Sequence, residues 1–217
     1  MDDLIYILAI CIVAPLLLMM MIADRKTRRL LGFMVGGIGI SVFASEVNAI
    51  LRDFVFPTLD LFHLTTSITP LCEEMLKAIP LLFVAVVITD KPNVLFTQAM
   101  SIGIGFAVME NTYVLLQSVD SVSIFWALLR GFSSGLMHSI CTLFIGIGIG
   151  MIHKRKKLFF TGTFALLVAA TIYHSLFNMF IQSDYMYFGA AMPIVTYLVL
   201  AYALYQKQKN QKKEGEI

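Results

Sequence analysis

Glu73, Glu74 and Lys77 lie in the segment Thr69-Pro-Leu-Cys-Glu-Glu-Met-Leu-Lys-Ala-Ile-Pro80, inside an otherwise apolar run from about Leu64 to Ile88 that is long enough to cross a bilayer. Each charge costs about 2.5 to 3.5 kcal/mol near the centre of a membrane helix, whereas each large apolar neighbour returns only about 0.3 to 0.6 kcal/mol. A helix that keeps such groups needs internal partners for them, and an intramembrane carboxylate marks a functional site by default. Glu73 and Lys77 are four residues apart and Glu74 and Lys77 three, so either carboxylate can pair with the ammonium. Both glutamates cannot point at one spot, because adjacent helical residues lie about 100° apart. One can face a reaction centre while the other is held by a cation. The alternative is a buried ion cluster that only fixes helix packing.

Three further apolar segments carry groups of the same kind. Glu110 closes the run Gly103-Ile-Gly-Phe-Ala-Val-Met-Glu-Asn111, and Arg130, Ser134 and His138 follow at four-residue intervals on one helical face. His174 and Asn178 repeat that spacing further on. A buried arginine stays charged and suits bidentate pairing with a carboxylate, so Arg130 can hold Glu74 or Glu110. Histidine is the commonest general acid or base and metal ligand. Asn178 fits a hydrogen-bond donor to a developing oxyanion, or with His174 an interhelical hydrogen-bonded pair.

The elements that must position these groups are membrane helices. The 217 residues are 59% hydrophobic and only 14% charged, with a mean hydropathy of +0.83, which excludes an ordinary soluble domain and a disordered chain. The predicted fold is an all-α polytopic membrane bundle forming a single domain over residues 1–217. Seven apolar segments run at about 4–22, 30–51, 64–89, 94–117, 122–152, 158–181 and 186–205. The connections Asp24-Arg-Lys-Thr-Arg-Arg29, Lys91 and His153-Lys-Arg-Lys-Lys157 and the tail from Gln206 to Lys213 share one side, which the positive-inside rule makes cytoplasmic. Asp2, Asp3, Arg52, Asp53, Asp60, Asp120 and Asp184 fall on the other. The amino terminus is thus expected outside and the carboxyl terminus inside. The basic tail reads as an anchor attracted to anionic lipid, and nothing resembles a nucleic-acid module.

Small-residue spacings predict close helix contacts at Gly32 and Gly36, at Gly103 and Gly105, at Gly131 and Gly135, and at Gly146 and Gly150. Gly131-x-Ser-x-Gly135 also matches the pattern of serine hydrolases, but that motif works through a strained strand-to-helix turn that a membrane helix lacks. Cys11, Cys72 and Cys141 are odd in number, without metal-like spacing, and read as buried packing residues.

In order along the chain, Glu73-Glu74-x-x-Lys77, Phe106-x-x-x-Glu110-Asn111, Arg130 with His138, and His174-x-x-x-Asn178 resemble the motifs of the PrsW family of intramembrane proteases. That family is distantly similar to the CAAX prenyl endopeptidases and to bacteriocin-processing and immunity proteins. The resemblance covers roughly residues 65–180. It implies a multi-pass protein of a bacterial cell membrane that cuts a membrane-protein substrate, such as a single-pass anti-sigma factor, near its extracytoplasmic face to begin a signalling cascade.

Hydrolysis by an activated water is expected, since no well-placed nucleophile is present. Glu73 or Glu74 would be the general base, with Lys77 and Arg130 holding the other carboxylates. Glu110, His138 and His174 could bind Zn²⁺, three protein ligands leaving a fourth position open. A metal-free version, in which a glutamate activates water while His174 and Asn178 stabilise the oxyanion, uses the same residues. A transporter or ion-binding protein also gathers such groups inside a bundle, but the chain has no matched pair of broken helices in two halves. An inactive immunity or binding relative is the third reading, and the retained glutamates argue against it.

Overall fold

The computed structural model describes residues 4–88, 91–150 and 156–214, all helical apart from short connections and without a strand among them. Asp2, Asp3 and His153 fall outside the described residues. The helices are α1 (Leu4–Ile22), α2 (Arg25–Ile50), α3 (Leu61–His63), α4 (Thr69–Phe83), α5 (Pro92–Gln117), α6 (Ile124–Ile149), α7 (Lys156–Ile181) and α8 (Met186–Glu214), with π-helical turns at Leu51–Val55, Leu64–Ile68 and Val84–Ile88.

Local chemistry sets the starts. Asp24 caps α2 by accepting the Lys26 and Thr27 amides at 3.0 and 3.3 Å, and Ser123 caps α6 through the Trp126 amide at 3.1 Å. Pro92 opens α5, where a missing N–H costs nothing. The basic tail continues α8 as helix to Glu214, beyond the boundary expected near residue 205.

Among the described residues, six helices are long and apolar enough to cross a membrane: α1, α2 with its π-helical extension, and α5 to α8. The third apolar segment, expected over residues 64–89, is helical without a break from Leu61 to Ile88, though its three charges set it apart from the other six. It runs through α3, a π-helical turn, the 15-residue α4 and a second π-helical turn. Pro70 and Pro80 each remove a backbone donor from this segment. The exterior is apolar, with Met21, Ile22, Phe54 and Ile124 each at least 76% exposed. In water such a surface would aggregate, whereas lipid requires it.

Helices α5 and α6 form the central pair, α2 packs on α5, α7 and α8 pack on α6, and α4 is wedged among α2, α6 and α7. Glycine makes the closest approaches possible. A Cβ on Gly37 would collide with the Ile102 carbonyl, and one on Gly105 with the Met34 carbonyl, so α2 and α5 meet backbone to backbone. Gly146 lies against Ala99, and Gly148, which the spacing pattern did not single out, against Thr163.

The expected contacts at Gly32 and Gly36, and at Gly131 and Gly135, are not formed. Gly36, Gly131 and Gly135 have nothing within 4 Å of a Cβ, and Gly32 has only the Met20 side-chain tip at 3.5 Å. Gly36, Gly131 and Gly135 thus meet open space, and Gly32 makes only ordinary contact with α1. Of the cysteines, Cys141 is buried, Cys72 half-buried and Cys11 exposed; α1 lies at the edge of the bundle and turns Cys11 outwards.

Candidate active site

Helix α4 reverses the usual amphipathic pattern. Its buried stripe is Pro70, Glu73, Glu74, Lys77 and Leu81, at helical spacing, while Leu71, Met75 and Ile79 face outwards. The polar stripe meets α6 and α7. Lys77 Nζ donates to Glu74 Oε1 at 2.7 Å and to His138 Nδ1 at 2.9 Å. An ammonium only donates, so Nδ1 accepts, and His138 Nε2 carries the proton that it gives to Glu110 Oε2 at 2.6 Å. Glu110 Oε1 faces Arg130 Nη2 at 3.9 Å, which answers which glutamate the arginine holds. The same Glu74 Oε1 also accepts a hydrogen bond from His174 Nδ1 at 2.9 Å.

A chain of contacts therefore runs from His174 through Glu74, Lys77, His138 and Glu110 to Arg130, joining four helices. The side chains of Glu74 and Lys77 are fully buried. Removing one partner of such a pair leaves an uncompensated charge at a cost of about 3–5 kcal/mol. Phe106 completes the packing: Lys77 Nζ sits 4.2 Å above its ring centroid, and the His138 ring is 4.8 Å away. A cation over an aromatic face in a desolvated site is stabilised by about 2 kcal/mol.

Glu73 stands apart from this chain. Its Oε1 accepts a long hydrogen bond from Asn48 Nδ2 at 3.4 Å. Its Oε2 and His174 Nε2 are both buried, have no hydrogen-bond partner among the described residues, and face one another at 3.9 Å. Two orphaned polar atoms in one buried gap require an occupant. With His138 they form a group whose ligand atoms all lie within 4.8 Å of one another. A carboxylate and two imidazoles are the donor types of catalytic zinc sites. Glu74 fixes the His174 tautomer and aims Nε2 into the gap, as carboxylates behind metal-bound histidines do. The residues fit a divalent metal. Glu73 is the carboxylate grouped with the two histidines, and Glu110, expected as the third ligand, lies beside the group with its Oε2 2.6 Å from His138 Nε2.

A cavity of about 470 Å³ leads to this centre between α2, the start of α4 and α5. Glu73 and Glu110 lie in its wall, and the exposed Arg52 and Gln117 at its rim. Asn178 does not point into the gap; its Nδ2 donates to the Thr65 carbonyl at 3.0 Å.

The sequence matches the PrsW family of intramembrane metalloproteases over residues 25–205. The chain belongs to this family. It is therefore a multi-pass membrane peptidase. No curated protein matches it significantly, and no solved structure does.

As a PrsW-family chain it shows what each motif does locally. The Glu-Glu-x-x-Lys helix supplies one glutamate to the gap and a second to an ion pair. The phenylalanine of Phe106-x-x-x-Glu110 packs on the lysine and on His138, and Arg130 pairs with Glu110. Asn48 and Thr65 also join the site. The signal for Asn48 was a polar residue near the end of an apolar segment, which an interfacial position explains equally well. Thr65 takes part through its backbone carbonyl, which no side-chain pattern reveals.

Proposed function

We propose that the chain is a zinc-dependent endopeptidase of a bacterial cell membrane, which hydrolyses a membrane-protein substrate of the single-pass, anti-sigma-factor-like kind near the extracytoplasmic face. The observation that supports this reading is the pair of orphaned, buried atoms Glu73 Oε2 and His174 Nε2, grouped with His138 behind a cavity whose wall includes Glu73. Glu73, His138 and His174 hold the metal. The metal, when bound, supplies Lewis-acid polarisation of the peptide carbonyl and activation of the attacking water.

The remaining roles follow from exposure and contacts. Glu110 lines the cavity with its side chain 25% exposed, whereas Glu74 is sealed. Glu110 takes the proton from water and returns it to the leaving amine, the role first expected of Glu73 or Glu74. Arg130 holds Glu110 in place, and Lys77 neutralises Glu74 so that Glu74 can orient His174. The cavity rim residues Arg52 and Gln117 sit at the ends of α2 and α5 remote from the basic connection 24–29 and Lys91. By the positive-inside rule that supports an extracytoplasmic cut, with the amino terminus outside.

The test compares new protein amino termini in membranes of cells carrying the wild-type chain or Glu73→Gln at matched abundance. A membrane protein cut only with the wild-type chain, on the side of the bilayer opposite the basic loops, is the expected result. Identical termini in both, under envelope stress and with both proteins folded, would sink the proposal.

A further inference from the structure

The π-helical turn before α4 determines where Glu73 and Glu74 point. A π-helical turn holds about one residue more than an α-helical one, so it shifts the phase of everything after it by about 100°. Such turns need their displaced carbonyls satisfied, above all in a membrane, where water cannot do it. Here the Thr69 amide bonds the Leu64 carbonyl. The next donor on this ladder would be the amide of residue 70, for the Thr65 carbonyl. Residue 70 is proline and has none. The Thr65 carbonyl instead accepts Asn178 Nδ2 from α7 at 3.0 Å. Just past the end of α7, Gln182 Oε1 accepts a hydrogen bond from the Thr65 hydroxyl at 3.0 Å.

We infer that Asn178 is a positioning residue: it clamps the carbonyl orphaned by Pro70, and so fixes the turn that aims Glu73 at His138 and His174. Helix α7 thereby carries both a member of the metal-binding group, His174, and the clamp that presents Glu73 to it. This deepens the proposed protease reading and rests on it for the activity arm of the test.

The test is a double-substitution cycle in the full-length chain, because Pro70→Ala restores an amide that can satisfy the Thr65 carbonyl from within α4. Asn178→Ala is expected to slow wild-type-dependent cleavage roughly ten- to hundredfold, the range seen when groups that orient a site are removed. In the Pro70→Ala background the same substitution costs several-fold less, and the drop in thermal midpoint caused by Asn178→Ala shrinks likewise. An equal loss of rate in both backgrounds would overturn the inference, since a donor acting on the reacting atoms cannot be replaced by a backbone amide at residue 70.

Amide exchange of the segment around Leu64–Thr69 covers the case in which Pro70→Ala fails to fold. Asn178→Ala should accelerate it, and unchanged exchange also overturns the clamp. If the wild-type chain cuts nothing, the protease reading fails by itself, while the thermal cycle and the exchange still decide the clamp.

Discussion

Gly103→Ala probes the geometry of the site without touching any of its polar groups. A Cβ at position 103 would lie 2.6 Å from the His138 carbonyl oxygen and 2.7 Å from both the His138 carbonyl carbon and the Ser139 Cα. These are backbone atoms of α6, and no rotamer change can move them aside. To reach the 3.4 Å at which ordinary contact begins, α5 and α6 must separate by about 0.8 Å, a strain in the range of 1–3 kcal/mol for overpacked interiors.

The displacement falls where His138 meets Glu110 of α5 at 2.6 Å and Lys77 of α4 at 2.9 Å. A misplacement of about 1 Å can cost about a hundredfold in rate. Purified Gly103→Ala protein should therefore melt several degrees lower in detergent and cleave about a hundredfold more slowly. Gly131→Ala is the control: with nothing within 4 Å, it should gain about 0.5–1 kcal/mol of helix stability and cleave normally. If Gly103→Ala matches the wild type in both midpoint and rate, the close approach of α5 and α6 does not position His138.

Other outcomes follow from the contacts. Glu74→Gln should lower stability by about 3–5 kcal/mol by stranding the buried Lys77 charge, measured by thermal or denaturant unfolding of the metal-free proteins, whereas metal-free Glu73→Gln should match the metal-free wild type. Combining Glu74→Gln with Lys77→Met should recover much of that stability without recovering cleavage, because His174 still lacks its orienting carboxylate. Asn48→Ala should slow cleavage about tenfold or more, as expected when the partner that orients a site residue is lost, with an unchanged melting midpoint.

Much of the site was legible because membrane burial penalises charge so strongly that every intramembrane Glu, Lys, Arg and His had to mean something. The spacing of Lys77 from both glutamates narrowed its ion pair to two candidates, of which the structure forms Lys77–Glu74, and the four-residue interval placed Arg130 and His138 on one face. What spacing could not decide is which of two neighbouring glutamates faces the gap. That depends on the phase of α4, set by a π-helical turn whose sequence trace is a single proline, Pro70. Glycine spacing failed for a related reason. Gly32, Gly36, Gly131 and Gly135 have the pattern of a close contact, but a pattern does not say whether that face meets a helix or lipid; it found Gly103, Gly105 and Gly146 and missed Gly37, Gly148 and Gly189.

The most direct test is to measure metal content and cleavage together on purified wild-type, Glu73→Gln and Glu110→Gln proteins. The wild type should carry near-stoichiometric zinc and cleave, Glu73→Gln should lose both, and Glu110→Gln should keep the zinc and lose cleavage. A wild-type protein that cleaves without metal, or a Glu73→Gln protein that keeps its zinc, would contradict the assignment of Glu73, His138 and His174 as the metal-holding centre.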